Sequence, residues 1–400
     1  MASGASVFIL GDARSDWADR EGGRRPPTST LYCERVTRNV VGTNGNSVRH
    51  APGLQSHAAD GRLHDGFGRV GTDLRVSLTD RCQLRCSYCM PREGLEWLPN
   101  GNLLTDEEVV RLITIAVCDL GVEQIRFTGG EPLLRRGLED IMAATTRLRT
   151  VSGRSPETAL TTNGINLAKS AVALKAAGLQ RINVSLDTLD PDRYARLTGR
   201  HRLGDVIEGL GAAARAGLNP IKINTVLMRG VNDDEALALV RWALKRGYQP
   251  RFIEQMPLGP QDTWQRDGMV TAAHILAMLR KELTLVPAHP NARGSAPAET
   301  WIASGAEVAD GVVPLIGIVG SVTRAFCETC KRTRLTADGQ LRSCLFARDE
   351  TDLRSLLRGG ASDREIADTW RVAMAAKQAS HGIDQVSFLQ PARAMSAIGG

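Results

Sequence analysis

The 400-residue sequence contains no long apolar run, although 42% of its residues are hydrophobic. No stretch approaches the roughly 20 apolar residues that cross a bilayer as a helix, so a membrane-spanning segment is not expected. A secretory leader is also missing, because the apolar piece ASVFIL is short and runs directly into Asp12, Arg14 and Asp16. These two absences predict a cytoplasmic protein with no membrane partner.

A strong charge of either sign is absent too. The net charge is +6, and aromatic residues make up only 4% of the chain. This mild basicity is compatible with an anionic ligand or a nucleic acid and does not distinguish between them. Composition therefore decides little about function.

The chain does contain eight cysteines, which in a reducing compartment are more often metal ligands or catalysts than disulfide partners. Cys33 and Cys118 stand apart, and Cys118 lies on the apolar stripe of a predicted helix. The other six form two sets of three: the first cysteine set (Cys82, Cys86 and Cys89) and the second cysteine set (Cys327, Cys330 and Cys344). Each set is one residue short of the usual four ligands.

Short β-rich runs alternate with amphipathic helical segments from about Asp73 onward. The predicted strands are 73–79, 124–129, 158–164, 181–187, 221–228 and 250–256. Such alternation is typical of parallel βα units, whose functional residues follow the carboxyl ends of the strands. We therefore predict an α/β fold, an incomplete (βα)6 TIM-type barrel over residues 67–258. A doubly wound sheet is the structural alternative.

The flanking regions have weaker patterns. Residues 1–66 lack periodicity and are predicted to be a poorly ordered extension. Residues 259–400 are predicted to form a smaller region across the barrel mouth, with a helix at 272–283, an apolar run at 312–319 and a hairpin turn at Asp338-Gly339. Within the barrel, Thr105 with Glu108 and Asn232 with Glu235 have the spacing of helix caps.

The first cysteine set lies directly after the first predicted strand. Thiolates favour zinc, copper(I) or iron–sulfur clusters. Three cysteines can hold a four-iron cluster and leave one iron open to a ligand. The alternative is a zinc site completed by a distant residue.

The second cysteine set allows similar alternatives, namely a zinc ribbon, a redox Cys-x-x-Cys pair or another cluster with an open iron. Arg332 and Arg334 lie two and four residues after Cys330. In a strand these two side chains would point to the same face, and arginine is well suited to binding phosphate.

The segment DRCQLRCSYCMP, followed by GGEP at Gly129–Pro132, resembles the radical S-adenosylmethionine (SAM) superfamily. The resemblance implies a [4Fe–4S] cluster whose open iron chelates SAM. One-electron reduction then cleaves SAM to a 5′-deoxyadenosyl radical.

With the second cysteine set, the chain from about Asp65 to its end resembles the GTP 3′,8-cyclase family, which starts molybdenum cofactor biosynthesis. In that family a second [4Fe–4S] cluster binds the guanine of GTP, and basic residues hold the triphosphate. The radical removes the ribose 3′ hydrogen, and C3′ attacks C8 to give 3′,8-cyclo-7,8-dihydro-GTP. The terminal Gly399-Gly400 pair matches a family tail that reaches into the active site.

Matching motifs imply individual roles. The SAM contacts would be Tyr88, Gly130, Ser185 and Met256. The GTP contacts would be Arg75, Arg126, Thr161, Lys222, Arg332, Thr333 and Arg334. Taken singly, most of these could be ordinary strand, turn or core residues. Their occurrence on successive strands favours the functional interpretation.

The resemblance also implies partners: GTP, a one-electron reductant, and a downstream cyclic pyranopterin monophosphate synthase that receives the product. A homodimer is compatible with the sequence, and no nucleic-acid partner is expected. Two alternatives stay open at this point. One is a radical SAM enzyme that modifies a peptide or RNA and uses an auxiliary electron-transfer cluster. The other is a zinc-binding interaction protein.

Overall fold

Six parallel strands and the helices between them form the first half of the fold, as the sequence predicts. The computed structural model describes residues 60–260, 264–288, 295–383, 385 and 388–399. In chain order this half contains β1 (Asp73–Ser77), α1 (Asp106–Cys118), β2 (Gln124–Thr128), α2 (Leu138–Arg147), β3 (Glu157–Thr162), α3 (Leu167–Ala176), β4 (Arg181–Ser185), α4 (Pro191–Thr198), α5 (Leu203–Arg215), β5 (Ile221–Leu227), α6 (Ala236–Lys245) and β6 (Gln249–Glu254).

The second half adds shorter elements. They are α7 (Ala272–Leu279), β7 (Thr284–Pro287), β8 (Glu299–Ser304), β9 (Leu315–Val319), β10 (Arg332–Leu335), β11 (Gln340–Arg342), β12 (Thr351–Asp352), α8 (Leu353–Arg358), α9 (Asp363–Ala375) and α10 (Met395–Ile398). Short 3₁₀ segments span Asn100–Asn102, Pro132–Leu134, Asp233–Glu235 and Cys327–Thr329. The predicted helix at 272–283 is thus shorter than expected, whereas β10 and β11 form the predicted hairpin. No helix among the described residues combines the length and apolarity needed to cross a membrane.

The strands form one sheet in the order β12-β11-β10-β1-β2-β3-β4-β5-β6-β9-β8-β7. The strands from β10 through β1–β6 to β9 run parallel, and the outer strands join them by antiparallel pairing. No pairing joins β12 to β7 within the described residues. The sheet is therefore the predicted incomplete barrel, with one additional parallel strand on each side of the six predicted units.

The pairing of β10 with β1 decides where the C-terminal region lies. The register pairs Asp73 with Arg332, so both strands start at the same edge of the sheet. The loop before β10 consequently lies at the amino edge of the parallel strands, while the loop after β1 lies at the carboxyl edge. The C-terminal region, which the sequence predicted to lie across the barrel mouth without naming an edge, is therefore not confined to the carboxyl edge. It reaches both edges, because α10 returns to the carboxyl edge.

Side chains alternate along the central strands. Leu74 and Val76 of β1, with Ile125 and Phe127 of β2, are at most 1% exposed and belong to the core beneath the helices. Residues between them point to the opposite face, which is the interior of the barrel. On β1 that interior residue is Arg75. The alternation thus gives the barrel a polar lining.

The chain is well packed before the predicted boundary at residue 67. Leu63 is fully buried, and its carbonyl accepts a hydrogen bond from Gly71 N (2.7 Å). Asp65 and Arg69 form a buried ion pair, with 2.5 Å between Oδ2 and Nε. The rest of the predicted extension, residues 1–59, lies outside the described residues. The domain boundary at residue 258 stays a prediction.

One of the two predicted helix caps is confirmed. Thr105 and Glu108 form a reciprocal capping box at the start of α1. Asn232 does not cap a helix through its side chain. Instead, Asn232 is fully buried and donates to the carbonyls of Asp187 (2.8 Å) and Val226 (2.9 Å). Its amide therefore joins the end of β5 to the loop after β4, a role that cap spacing cannot reveal.

Candidate active site

The first cysteine set lies at the carboxyl edge, on the loop after β1. All three cysteines are half-buried, and none of them is in a disulfide. Cys89 N donates to Cys86 O (2.9 Å), and Arg85 N donates to Thr198 O (2.8 Å). The Arg85 side chain donates to the carbonyl of Cys82 (2.7 Å). Local hydrogen bonds therefore hold the three thiols on one short loop.

These cysteines line a cavity of about 200 Å³ at the carboxyl ends of neighbouring strands. The four residues matched to SAM contacts all line this cavity: Tyr88, Gly130, Ser185 and Met256. Thr161, which was matched to a GTP contact, lines it as well. The structure therefore brings together the cysteine loop and residues from the ends of β2, β3, β4 and β6.

Gly129 and Gly130 form the wall of this cavity nearest the cysteine loop. Gly129 has a φ of 139°, a conformation that favours glycine. A Cβ on Gly129 would collide with the carbonyl oxygen of Thr79, and one on Gly130 with that of Arg81. Gly130 N donates to Thr79 O (2.7 Å). Glycine at both positions therefore lets the loop after β2 pack directly on the cysteine loop.

Glu131 is fully buried behind the cavity wall. Its carboxylate accepts hydrogen bonds from Thr162 Oγ1 (2.7 Å), Asn163 N (2.7 Å) and Leu133 N (3.0 Å). Burial raises the pKa of Glu131 to about 7, although these hydrogen bonds oppose the shift. Asn163 Nδ2 in turn donates to the Cys82 sulfur (3.7 Å). Glu131 therefore ties the loops after β2 and β3 to the first cysteine set.

Tyr88 is oriented by Asp187, which follows β4. Tyr88 Oη donates to Asp187 Oδ2 (2.8 Å), and Val226 N donates to Oδ1 (2.8 Å). Burial raises the pKa of Asp187 to about 6. Burial and the Asp187 charge also raise the pKa of Tyr88 well above its usual range, so the phenol keeps its proton. This bond holds the Tyr88 ring in place against the cavity.

Basic side chains form a band inside the barrel, between the cavity and the amino edge. Arg75 is in register with Arg334 on β10 and Arg126 on β2. Lys222 on β5 and Arg251 on β6 are close enough to these arginines to feel their positive charge. The basic band comprises Arg75, Arg126, Lys222, Arg251, Arg332 and Arg334.

Asp73 is the carboxylate that pairs with the basic band. Its Oδ1 lies 3.2 Å from Arg75 Nε, and its Oδ2 lies 3.6 Å from Arg332 Nε. Burial opposes ionisation of Asp73, but Arg75, Arg332 and Arg126 outweigh burial and lower its pKa to about 2. Asp73 is therefore ionised at neutral pH and neutralises a small part of the band.

The rest of the basic band carries surplus positive charge. Burial and neighbouring cations lower the pKa of Lys222 to about 8, that of Arg334 to about 9 and that of Arg251 to about 10. Arg126 Nε and Nη1 and Arg251 Nε are buried and have no hydrogen-bond acceptor among the described residues. Buried donors of this kind normally have partners. The band therefore fits a polyanion, because charge-assisted hydrogen bonds would satisfy it.

Two placements differ from the sequence interpretation. Thr333 is fully buried, and its hydroxyl accepts a hydrogen bond from Trp370 Nε1 (3.1 Å) on α9. Its side chain therefore faces away from the basic band. Arg251, by contrast, was not singled out. Ile253 lines the cavity, and alternation along β6 places Arg251 on the same face. That pattern could have identified Arg251 in the sequence.

The second cysteine set lies at the amino edge, at the other end of the basic band. Cys327 and Cys330 flank the turn before β10, and Cys344 follows β11. All three are half-buried and outside any disulfide. Arg332 Nη1 donates to the Cys330 sulfur (3.8 Å). Arg332 thus connects the second cysteine set with the basic band.

The C-terminal tail enters the barrel from the carboxyl edge. Met395 and Ser396 line the cavity beside the first cysteine set. Arg334 donates to the carbonyl of Gly399, and a Cβ on Gly399 would collide with the hydroxyl of Ser77. Gly399 is therefore required for the tail to fit, as the matched family motif suggested. Gly400 lies outside the described residues.

The donor chemistry of both cysteine sets fits a [4Fe–4S] cluster. Each set offers three soft sulfur ligands from a short segment, which leaves one iron open. No group of three or more His, Cys, Asp or Glu side chains among the described residues is arranged around a single metal ion. The three thiols of the first cysteine set also lie beside a cavity that a ligand could share.

Comparison with known families matches residues 76–243 to the Radical SAM superfamily and residues 248–383 to Molybdenum Cofactor Synthesis C. The GTP 3′,8-cyclase of Streptomyces coelicolor is 58% identical over 338 residues, which cover 84% of this chain and 96% of that relative. The GTP 3′,8-cyclase of Corynebacterium glutamicum is 54% identical over 354 residues, covering 88% and 93%. The solved structure of Streptococcus suis SuiB bound to S-adenosylmethionine is 16% identical, with a TM-score of 0.46 over 74% of this chain and 67% of that chain.

Proposed function

Since the chain belongs to the GTP 3′,8-cyclase family of the radical SAM superfamily, we propose that it converts GTP to 3′,8-cyclo-7,8-dihydro-GTP, the first step of molybdenum cofactor biosynthesis. The observation that carries the proposal is the basic band, which lies between cysteine sets at opposite edges of one barrel. A nucleotide along the band would reach both sets. The relatives do not favour the alternative of a peptide or RNA substrate.

We assign the first cysteine set as ligands of a [4Fe–4S] cluster with SAM on its open iron. When bound, these groups supply an organic radical after one-electron reduction. Gly130 offers backbone to SAM at close range, and Ser185 and Met256 line the same cavity. The Asp187 hydrogen bond holds Tyr88 in position at the cavity wall. Met395 of the tail also lines this cavity, where its apolar side chain would help to exclude water.

We assign the basic band to the triphosphate of GTP. Arg126 and Arg251 present buried donors without acceptors among the described residues, and three phosphates carry about four negative charges to satisfy them. The second cysteine set would hold a second [4Fe–4S] cluster that binds the guanine. This orientation turns the ribose towards the SAM cavity. Removal of the 3′ hydrogen there would leave a carbon radical at C3′ that adds to guanine C8. A second electron from the reductant and a proton would then complete the 7,8-dihydro product.

Further parts of the proposal concern partners. The reaction requires a one-electron reductant. The product would pass to a cyclic pyranopterin monophosphate synthase, and the reaction would take place in the cytoplasm. Membership of the GTP 3′,8-cyclase family supports these parts.

The decisive experiment is anaerobic incubation of the iron-loaded protein with SAM, dithionite and GTP. We expect 5′-deoxyadenosine and a cyclised GTP product in equal amounts. Iron and sulfide analysis should give about eight of each per chain, four for each cluster. Cleavage of SAM with GTP recovered unchanged would refute the substrate, and stoichiometric zinc without sulfide would refute both clusters.

A further inference from the structure

Lys377 contacts the second cysteine set from the end of α9. Its side chain is almost completely buried, at 3% exposure. Nζ donates to the carbonyls of Arg332 (2.7 Å) and Cys330 (3.2 Å) and lies 3.6 Å from the Cys330 sulfur. The ammonium group is therefore fixed by two carbonyls at hydrogen-bonding distance from a thiol that we assign to the second cluster.

The groups around Cys330 are mainly cationic. Arg332 Nη1 donates to the same sulfur (3.8 Å). Arg69 donates to the carbonyl of Cys327 (2.7 Å), but its charge is matched by the buried carboxylate of Asp65. Lys377 forms no ion pair with a carboxylate among the residues that the structure describes. The carboxylate of Asp65, whose charge reaches Lys377, is already paired with Arg69.

The first cysteine set has a different environment. The Cys82 sulfur accepts a hydrogen bond from the neutral amide of Asn163 (3.7 Å). The nearby ionisable groups are the buried carboxyls of Glu131 and Asp187 and the guanidinium of Arg85, which donates to the carbonyl of Cys82 (2.7 Å) and not to a sulfur. Among the residues that the structure describes, a buried charged donor therefore contacts a sulfur only in the second cysteine set.

We propose that Lys377 tunes the second cluster, because its buried ammonium stabilises the extra electron and raises the reduction potential of that cluster. The inference rests on the proposed function, which places a cluster on Cys327, Cys330 and Cys344. One-electron reduction adds one negative charge to the cluster without breaking a bond. Net charge and hydrogen bonds to cluster sulfurs set such potentials, and a buried cation acts through a low dielectric.

The test is a redox titration of the holoenzyme and its Lys377→Met variant, followed by electron paramagnetic resonance. At a fixed potential, we expect the ratio of reduced to oxidised second cluster to fall at least tenfold in Lys377→Met. For a one-electron couple this fall corresponds to about 59 mV towards more negative potential. The signal of the first cluster should not move. The Cys344→Ser variant shows which signal belongs to the first cluster, because this variant should retain the first cluster alone.

Two further variants separate charge from packing. Lys377→Gln keeps hydrogen-bond donors but removes the charge, so it should shift the potential in the same direction as Lys377→Met. Lys175→Met removes an exposed lysine that also donates to a carbonyl, that of Gly217 (2.8 Å). This matched control should leave both potentials unchanged.

The outcomes separate this inference from the proposed function. A wild-type protein with only four irons per chain would refute the second cluster itself. Eight irons and an unchanged potential in both Lys377 variants would refute the tuning role. Loss of the second cluster in Lys377→Met, with the wild-type potential in Lys377→Gln, would show that Lys377 has only a structural role.

Discussion

Buried cations without partners distinguish the barrel interior from an ordinary core. Arg251 is 8% exposed, yet its Nε has no acceptor among the described residues, and burial and the charges of Arg75 and Arg332 lower its pKa to about 10. Taking a charge out of water without a partner is costly to folding. Such a residue is retained when a ligand supplies the missing charge. Arg251 is therefore expected to help binding more than folding.

We predict that Arg251→Met weakens GTP binding without destabilising the ligand-free protein. Loss of a charge-assisted hydrogen bond of about 1.5–3 kcal/mol should raise the Kd for GTP at least tenfold. The free energy of unfolding should stay the same or rise, because an unpaired buried charge is removed. Calorimetric titration with GTP and urea unfolding measure the two quantities. Arg215→Met, at an exposed site on α5, is the control and should change neither. Wild-type GTP affinity in Arg251→Met would exclude Arg251 as a phosphate ligand.

The motif residues could be predicted from sequence because their spacing is local. Cys82, Cys86 and Cys89 follow a recognisable strand, and the structure places them where that strand ends. The orientation of Thr333 could not be predicted in the same way. Its side chain turns to Trp370 because alternation along β10 sends Arg332 and Arg334 to the other face. A motif match gives a position in the chain, whereas the direction of a side chain depends on what the strand packs against.

At the scale of elements, buried polar groups join the loops that form the cavity. Glu131 connects the loops after β2 and β3, and Asn232 connects the end of β5 to the loop after β4. These side-chain hydrogen bonds join the loops beyond the strand ends, where the backbone hydrogen bonds of the sheet have stopped. They give neighbouring loops the relative positions that a shared binding site requires.

We predict that Glu131→Gln destabilises the fold and reduces its pH dependence. The pKa of Glu131 is raised from 4.5 to about 7. Between these values the folded state holds a proton that the unfolded chain releases, so this group lowers stability as pH rises. Glutamine removes that dependence. The amide nitrogen of the glutamine cannot accept the hydrogen bond from Asn163 N. The loss of this bond should lower the free energy of unfolding by about 1–3 kcal/mol.

Urea unfolding at about pH 5 and pH 7.5 measures both effects of Glu131→Gln. Glu208→Gln, on the exposed face of α5, is the control and should behave as wild type. An undiminished pH dependence in Glu131→Gln would mean that other groups cause it.

The six central strands could be predicted to within about two residues, because alternation and glycine stops are local signals. The parallel pairing of β10 with β1 could not be predicted, because the two strands are far apart in sequence and no local pattern shows that they pair. This pairing moves the second cysteine set to the amino edge. The sequence therefore indicated two clusters and gave no indication that the barrel separates them.

At the scale of the whole molecule, this separation predicts that the two cysteine sets fail independently. In Cys344→Ser, we expect about four irons per chain, continued reductive SAM cleavage and no cyclised product. In Cys89→Ser, SAM cleavage should be lost. The second cluster and its GTP binding should remain. Iron analysis, 5′-deoxyadenosine formation and equilibrium GTP binding measure these outcomes. A Cys344→Ser protein with full cyclase activity would show that the second set does not bind the substrate.

Because the two cysteine sets lie at opposite edges, the length of the barrel also sets the distance between them. Strand β1 has five residues, which correspond to roughly 15 Å at the usual rise of a β-strand. Under the proposed function, this length is shared by the two clusters, SAM and GTP, whose triphosphate would lie on the basic band. The length of the barrel would then select the substrate before any reaction. A nucleoside without phosphates would bind weakly, because it has no group for the basic band between the two ends.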